Sequence, residues 1–319
     1  MTKAATVTQE RAASAVRVRV EDAPFARAAP PAGSAHPLER LDPYRSRIER
    51  RPAKTARSLD TGLGFDSQIV VKINAPELLR RQLASRQWQG AHVAMGTNVD
   101  CYQRAEGRYQ LMPGIIAALR DHANPFSILT KGTLILRDLP LLRQGAEVTE
   151  VGISVSVGFV DRELWRTVEP GTPSPERRLD VVRTLTGNGI GCGVLMAPVI
   201  PFLGDHPDQL RATVRAIAAS GATSVTPLVL HLRPGAREWF MAWVGQHHPH
   251  LVQRYERLYA EGAYAPKWYQ RRITRRVHEL AAEFGIGPSG PGMPRRVPAR
   301  QEAPEPVPVV PEPTQLSLL

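Results

Sequence analysis

Apolar and β-branched residues gather in six short runs along the middle of the chain, at residues 68–73, 92–95, 126–129, 151–157, 193–200 and 224–230. Runs of this length bounded by Gly, Pro, Asn and Asp predict strands. Between them, apolar positions recur at spacings of three and four over residues 76–87, 111–122, 175–188 and 208–220, which predicts helices. Two of these open on Ala75-Pro76-Glu77 and Ser174-Pro175-Glu176, where proline suits the first helical position and glutamate complements the helix dipole. A repeating strand–helix order requires parallel strands and right-handed crossovers, hence an α/β fold that is either an open doubly wound sheet or a barrel. No Gly-x-Gly-x-x-Gly follows any of the runs, so a dinucleotide-binding fold has no support. Six strands fall short of the eight of a closed barrel, and the expected architecture is a partial (β/α)6 TIM-like barrel. Residues 234–284 return to helical spacing, and Trp239, Phe240 and Trp243 there are expected to cover the outer face or the bottom of the barrel.

The two ends differ from this middle. Residues 1–60 alternate Arg, Ala, Pro and Ser without an apolar period, and residues 286–319 are dominated by Pro, Gly, Arg and Glu. Such composition buries too little apolar area to offset its ordering entropy, so poor order is expected at both ends of a barrel unit spanning residues 61–285. No apolar run approaches the length of a membrane span, and no secretory signal is legible at the start of the chain. Two cysteines, Cys101 and Cys192, exclude a disulfide framework, so the cytoplasm is the expected location. The formal net charge of +11 makes nucleic acid the first partner to consider. Arginine-rich flexible ends and a GC-rich coding bias would produce the same figure without binding. His247, His248 and His250 lack a carboxylate at ligand spacing, and no metal site is assigned to them.

Chemistry-bearing residues follow the predicted strands. Thr97, Asn98 and Asp100 come after the second run, Thr130 and Lys131 after the third, and Ser154 and Ser156 lie on the fourth. Pro198, Ile200 and Pro201 end the fifth run, and His231 and Arg233 follow the sixth. In a barrel, all these carboxyl ends converge on one mouth, where such folds place their sites. Each has a plainer reading: an Asn- and Asp-rich turn, a surface lysine before a glycine, and an interior that needs small side chains. Ser154 and Ser156 share one face because strand side chains alternate with period two.

Taken together, the segments GFDSQIVVKINAPELLRR, MGTNVDCYQRAEGRYQLMPGIIAALRD, FSILTKGTLILRDLPLL, EPGTPSPERRLDVVRTL, GVLMAPVIPFLGD and LHLRPGAREWF resemble the radical S-adenosylmethionine superfamily. The similarity is to its spore photoproduct lyase-like branch, often called DNA-repair photolyase-like. The resemblance covers roughly residues 60–285 and implies an enzyme that binds S-adenosylmethionine and a 4Fe-4S cluster. Cluster-bound S-adenosylmethionine would be cleaved to a 5'-deoxyadenosyl radical that acts on nucleic acid. It places Thr97, Asn98 and Asp100 near the cofactor, with Lys131 beside Thr130 meeting the carboxylate of S-adenosylmethionine. Ser154 and Ser156 would leave room for its ribose, and Pro198 and Ile200 would approach its adenine. His231 and Arg233 would take substrate, the guanidinium binding a phosphate bidentately.

That chemistry rests on a Cys-x3-Cys-x2-Cys loop upstream of the first of these segments. The matching stretch of this chain, LDPYRSRIERRPAKTARSLDTG, holds no cysteine, whereas a cluster is normally held by three or four thiolates. Two accounts stand side by side. The cluster is genuinely lost, leaving a pseudoenzyme that binds nucleic acid; or a compensated shift of reading frame produced the Arg-, Ala-, Pro- and Ser-rich stretch. Finally, Gln315, Leu316, Leu318 and Leu319 close the chain beyond a Pro-rich spacer. They look like the peptide with which bacterial repair and replication proteins dock on the sliding clamp, the leucines filling a pocket and the glutamine giving direction.

Overall fold

The computed structural model describes residues 6–8, 17–21, 68–97 and 99–287. Three strands, β1 (Thr6–Thr8), β2 (Arg17–Glu21) and β3 (Gln68–Lys72), form a small sheet in the order β1-β2-β3. β1 runs antiparallel to β2, and β2 runs parallel to β3, with Arg17 opposite Gln68 and Glu21 opposite Lys72. Two of these strands fall in the stretch whose composition carries no apolar period.

The main sheet is five parallel strands in sequence order: β4 (Val93–Met95), β5 (Phe126–Thr130), β6 (Val151–Ser156), β7 (Cys192–Val199) and β8 (Ser224–Val229). This is the α/β partial barrel expected from the alternation, with one correction. The predicted strand at residues 68–73 is a strand, but it pairs with β2 in the small sheet, leaving five strands in the barrel sheet instead of six. A short apolar run says that a segment is extended; it does not say which distant edge will accept it. Register is set by Phe126 opposite Val151, Ile153 opposite Cys192 and Val194 opposite Val225. These strands read as nearly continuous apolar runs because both faces of the sheet are buried, almost every residue of β5 to β7 being shielded from solvent.

In chain order the helices are α1 (Ala75–Leu83), α2 (Glu106–Tyr109), α3 (Leu111–Asp121), α4 (Leu139–Val148), α5 (Arg162–Val168), α6 (Pro175–Gly187), α7 (Pro207–Ala219), α8 (Ala236–His247), α9 (Val252–Leu258) and α10 (Lys267–Glu283). The helical stretch expected over residues 234–284 is thus divided into three. α1 packs on α3, α3 on α4, and α10 on β8 and α7. Phe240 and Trp243 of α8 are buried, as a covering role requires, while Trp239 stands 55% exposed.

Two helix starts are capped by carboxylates from outside the first turn or at its edge. Asp161 Oδ1 accepts from the Glu163 and Leu164 amides at 2.8 and 3.0 Å. Glu106 is buried, and its two carboxylate oxygens accept from the Leu111 and Met112 amides at 3.0 Å each, where α3 begins after Gln110 in the left-handed region. Arg137 closes this pair, with Nη2 2.7 Å from Glu106 Oε1, and also holds Asp138. Asp138 in turn accepts from the Tyr102 hydroxyl at 2.9 Å, and burial with the neighbouring Asp138 charge pushes the Tyr102 phenol well up.

Candidate functional site at the carboxyl ends of the barrel strands

The mouth begins where β4 passes over β5. Gly96 has φ +85°, and a Cβ there would lie 1.8 Å from the Leu129 carbonyl oxygen, so only glycine lets the two backbones approach this closely. The loop then returns through Asp100, whose carboxylate fastens the end of β4 to the end of β5. Asp100 Oδ1 accepts from the Tyr102 amide at 2.9 Å and from Thr130 Oγ1 at 2.6 Å, and Oδ2 accepts from the Lys131 amide at 2.7 Å. Thr130 is itself buried, and its hydroxyl oxygen accepts from the Gly132 amide at 2.7 Å. Asp100 and Thr130 are therefore joined as expected at one place, but as a staple whose polar atoms face each other. Thr97 of that loop is exposed, and Asn98 lies outside the described residues.

Lys131 carries the next link. Its ammonium pairs with Glu169 Oε1, and Glu169 Oε2 pairs with Arg178 Nη2 at 2.6 Å. Arg178, 1% exposed, spends its guanidinium on four acceptors: Glu169, the hydroxyl of Thr172, the Pro173 carbonyl at 2.7 Å and the Ser156 carbonyl at 3.1 Å. Burial pushes the Glu169 carboxyl up, but the charges of Lys131 and Arg178 outweigh it and hold the group below the ordinary glutamate range. Neither Glu169 nor Arg178 was singled out in the sequence. The signal was present for Arg178, which falls in the buried stripe of α6 between Pro175 and Val182, a position where arginine is retained only if fully paired.

A pH dependence follows from this pairing. Because the folded-state pKa of Glu169 lies below the unfolded one, its contribution to stability is complete above the ordinary glutamate pKa and is lost as the pH falls below it. The gap in unfolding midpoint between the wild type and Glu169→Gln is therefore expected to be widest near pH 7 and to narrow toward about pH 3. Denaturant titrations at the two pH values check this, and a gap that does not narrow would remove the assigned role.

Further around the mouth, Ser154 and Ser156 are buried on β6. The Ser156 hydroxyl donates to the Ala197 carbonyl at 2.9 Å, tying β6 to the cis Ala197–Pro198 bond of β7. Gly158 lies against the same bond, since a Cβ there would stand 2.4 Å from the Pro198 carbonyl oxygen. Pro198 is half-buried and Ile200 fully buried. The hydrogen bonds from Asp100 through Lys131, Glu169, Arg178 and Ser156 thus form one connected frame across the exits of β4 to β7.

The β8 side is closed by tyrosines from the last helices. Tyr255 donates to the Pro201 carbonyl, Tyr259 to the Leu230 carbonyl at 2.7 Å, and Tyr269 to Asp205. Asp205 also accepts from the Phe202 amide at 2.7 Å. His231 bridges to Tyr264 with ring centroids 4.4 Å apart. Partial burial and the Arg233 charge pull its pKa below the ordinary histidine value. Arg233 is exposed. Gln315, Leu316, Leu318 and Leu319 lie outside the described residues.

The donor set does not fit a 4Fe-4S cluster. The whole chain has two cysteines, both buried and neither in a disulfide, and burial raises the Cys192 thiol to about 12, which keeps it protonated and a poor ligand. Among the described residues no group of three or more His, Cys, Asp and Glu side chains is placed to hold a metal ion. No described helix is long and apolar enough to cross a membrane.

Fold and frame together define a partial parallel barrel with its polar frame at the carboxyl mouth. Solved structures with this fold include spore photoproduct lyase complexed with dinucleoside spore photoproduct, at a TM-score of 0.55 and 16% identity over 71% of this chain and 68% of that one. A mutant of the lyase with bound AdoMet and dinucleoside spore photoproduct aligns at a TM-score of 0.53 and 17% identity, over 72% of this chain and 70% of that one. No family model matches the chain. In sequence, the chain is 46% identical to the uncharacterized protein Rv2578c of Mycobacterium tuberculosis strain H37Rv over 236 residues, 74% of this chain and 69% of the relative. It is also 32% identical over 141 residues to an uncharacterized protein of Methanocaldococcus jannaschii, 44% of this chain and 51% of that protein. The chain belongs to the family of the mycobacterial protein.

Proposed function

We propose that this protein is a spore photoproduct lyase-like barrel that binds S-adenosylmethionine at the mouth formed by the exits of β4 to β7 and is directed to nucleic acid. The observation that carries the reading is the connected frame from Asp100 to Ser156, which fixes the backbone around the mouth before any ligand arrives. In this reading Lys131, held by Glu169 but 31% exposed along its side chain, exchanges part of that pairing for the ligand's carboxylate. Ser154 and Ser156 flank the ribose, Pro198 and Ile200 the adenine, and the Thr97–Asp100 loop closes the remaining side. His231 and Arg233 face the substrate. The AdoMet bound by a structural neighbour and the dinucleoside lesion bound by another support the two ligand classes.

Radical cleavage needs a cluster for which this chain lacks thiolates, so the polypeptide as it stands binds without cleaving. Isothermal titration of the full chain with S-adenosylmethionine is expected to give saturable one-site binding, weakened about tenfold, or about 1.4 kcal/mol, by Lys131→Ala. Iron and sulfide analysis after anaerobic reconstitution is expected to find far less than one cluster per chain. Absence of S-adenosylmethionine binding would overturn the ligand assignment, and a stoichiometric 4Fe-4S species would overturn the statement about cleavage. Reading the gene across codons 45–60 decides between the two accounts of the missing loop. Three restored cysteines make the gene product a radical enzyme, and an unchanged reading makes it a binding protein.

A further inference from the structure

α10 buries one face and leaves the other without a partner among the described elements. Tyr269, Ile273, Val277, Leu280 and Ala281 are buried where the helix packs on β8 and α7. The outward face carries Lys267, Arg271 and Arg275 at successive four-residue steps, about 6 Å apart along the axis at 1.5 Å per residue. These three line a wide, shallow surface with Gln270, Thr274 and His278. The one acid among the lining residues, Glu279, is shared between Arg275 at 3.9 Å and Arg276 at 3.3 Å, so the face keeps a clear positive excess.

Aromatic surface adjoins the start of this helix. Trp268 is 62% exposed and Tyr264 49% exposed, the latter with its ring against His231. Exposed rings beside a row of cations fit a polyanion that also offers flat faces to stack on. A bilayer is the other surface that attracts basic helices, but interfacial binding needs a free apolar face. The apolar face of α10 is already committed to the core.

We infer that the outward face of α10, with Trp268 and Tyr264 at its head, is a docking surface for single-stranded nucleic acid. Lys267, Arg271 and Arg275 track successive phosphates, while the rings stack on bases near His231 at the β8 exit. This deepens the nucleic-acid part of the proposed function and rests on that part alone, independent of S-adenosylmethionine in the mouth.

The test is fluorescence anisotropy of the full chain with a labelled oligodeoxythymidine across a salt series. The double variant Arg271→Glu/Arg275→Glu is expected to weaken binding at least thirtyfold and to lower the slope of log affinity against log salt by about 1.4, two phosphate contacts' worth for a single strand. Arg271→Lys/Arg275→Lys should stay within about threefold of the wild type, and Trp268→Ala should weaken the single strand about tenfold while affecting duplex less. These side chains are exposed, so unfolding midpoints should match the wild type and S-adenosylmethionine titration should be unchanged. Wild-type binding that survives the charge reversal would overturn this surface while leaving the nucleic-acid reading intact. No wild-type binding to any oligonucleotide would overturn that reading itself. Loss confined to phosphatidylserine vesicles, with oligonucleotide binding unaltered, would assign the face to a membrane and overturn the inference.

Discussion

Gly96→Ala is expected to cost about 4 kcal/mol of stability, enough to prevent a marginal domain from folding at 37 °C. Two effects add. The backbone at φ +85° disfavours any residue with a Cβ by about 1–2 kcal/mol. The new methyl would also lie 1.8 Å from the Leu129 carbonyl oxygen and 2.9 Å from its carbon, which is backbone and cannot rotate away. Relief requires β4 to withdraw from β5, which in turn pulls Asp100 from Thr130 and Lys131. Gly90 provides the control, since it has φ +67° with nothing within 4 Å of an added Cβ. Gly90→Ala carries the conformational part alone, about 1 kcal/mol. Guanidinium midpoints of the two variants should therefore differ severalfold in their displacement from the wild type. Equal displacements would show that the strand contact contributes nothing.

Arg178→Met is expected to cost about 3–5 kcal/mol, the usual penalty for removing one partner of a buried charged pair. The arginine is 1% exposed, and its loss leaves Glu169 with Lys131 as its remaining cation while the Ser156 and Pro173 carbonyls lose their donor. Most of that cost is the stranded carboxylate rather than the intrinsic worth of the ion pair. The double variant Arg178→Met/Glu169→Gln should therefore be more stable than Arg178→Met alone, with a coupling of about 1–3 kcal/mol in the cycle. The same variants should weaken S-adenosylmethionine, because Lys131 and the Ser156 backbone lose their common support. A loss below about 1 kcal/mol for Arg178→Met would mean that water enters and satisfies the frame.

Strand and helix positions were legible because each depends on periodicity within a few residues. The five barrel strands and the four helices predicted between strands all appear, with ends shifted by a few residues at most. α2, α4 and α5 were not foreseen. Where the candidate residues lie was legible because the carboxyl ends of parallel strands converge whatever the side chains are. Their partners were not, since Glu169 is 38 residues from Lys131 and nothing local marks it as the acid that Lys131 would choose.

The sequence by itself determined the alternating α/β order and the shortage of sulfur donors, since periodicity acts locally and no folding can supply thiolates that two cysteines lack. Tertiary structure alone decided that residues 68–72 join β2 instead of the barrel sheet. It also turned Asp100 and Thr130 into a staple and buried Arg178 at the centre of the mouth's frame. Those outcomes depend on which distant groups meet once loops have closed, and desolvation then makes every unpaired polar group costly enough to select one arrangement.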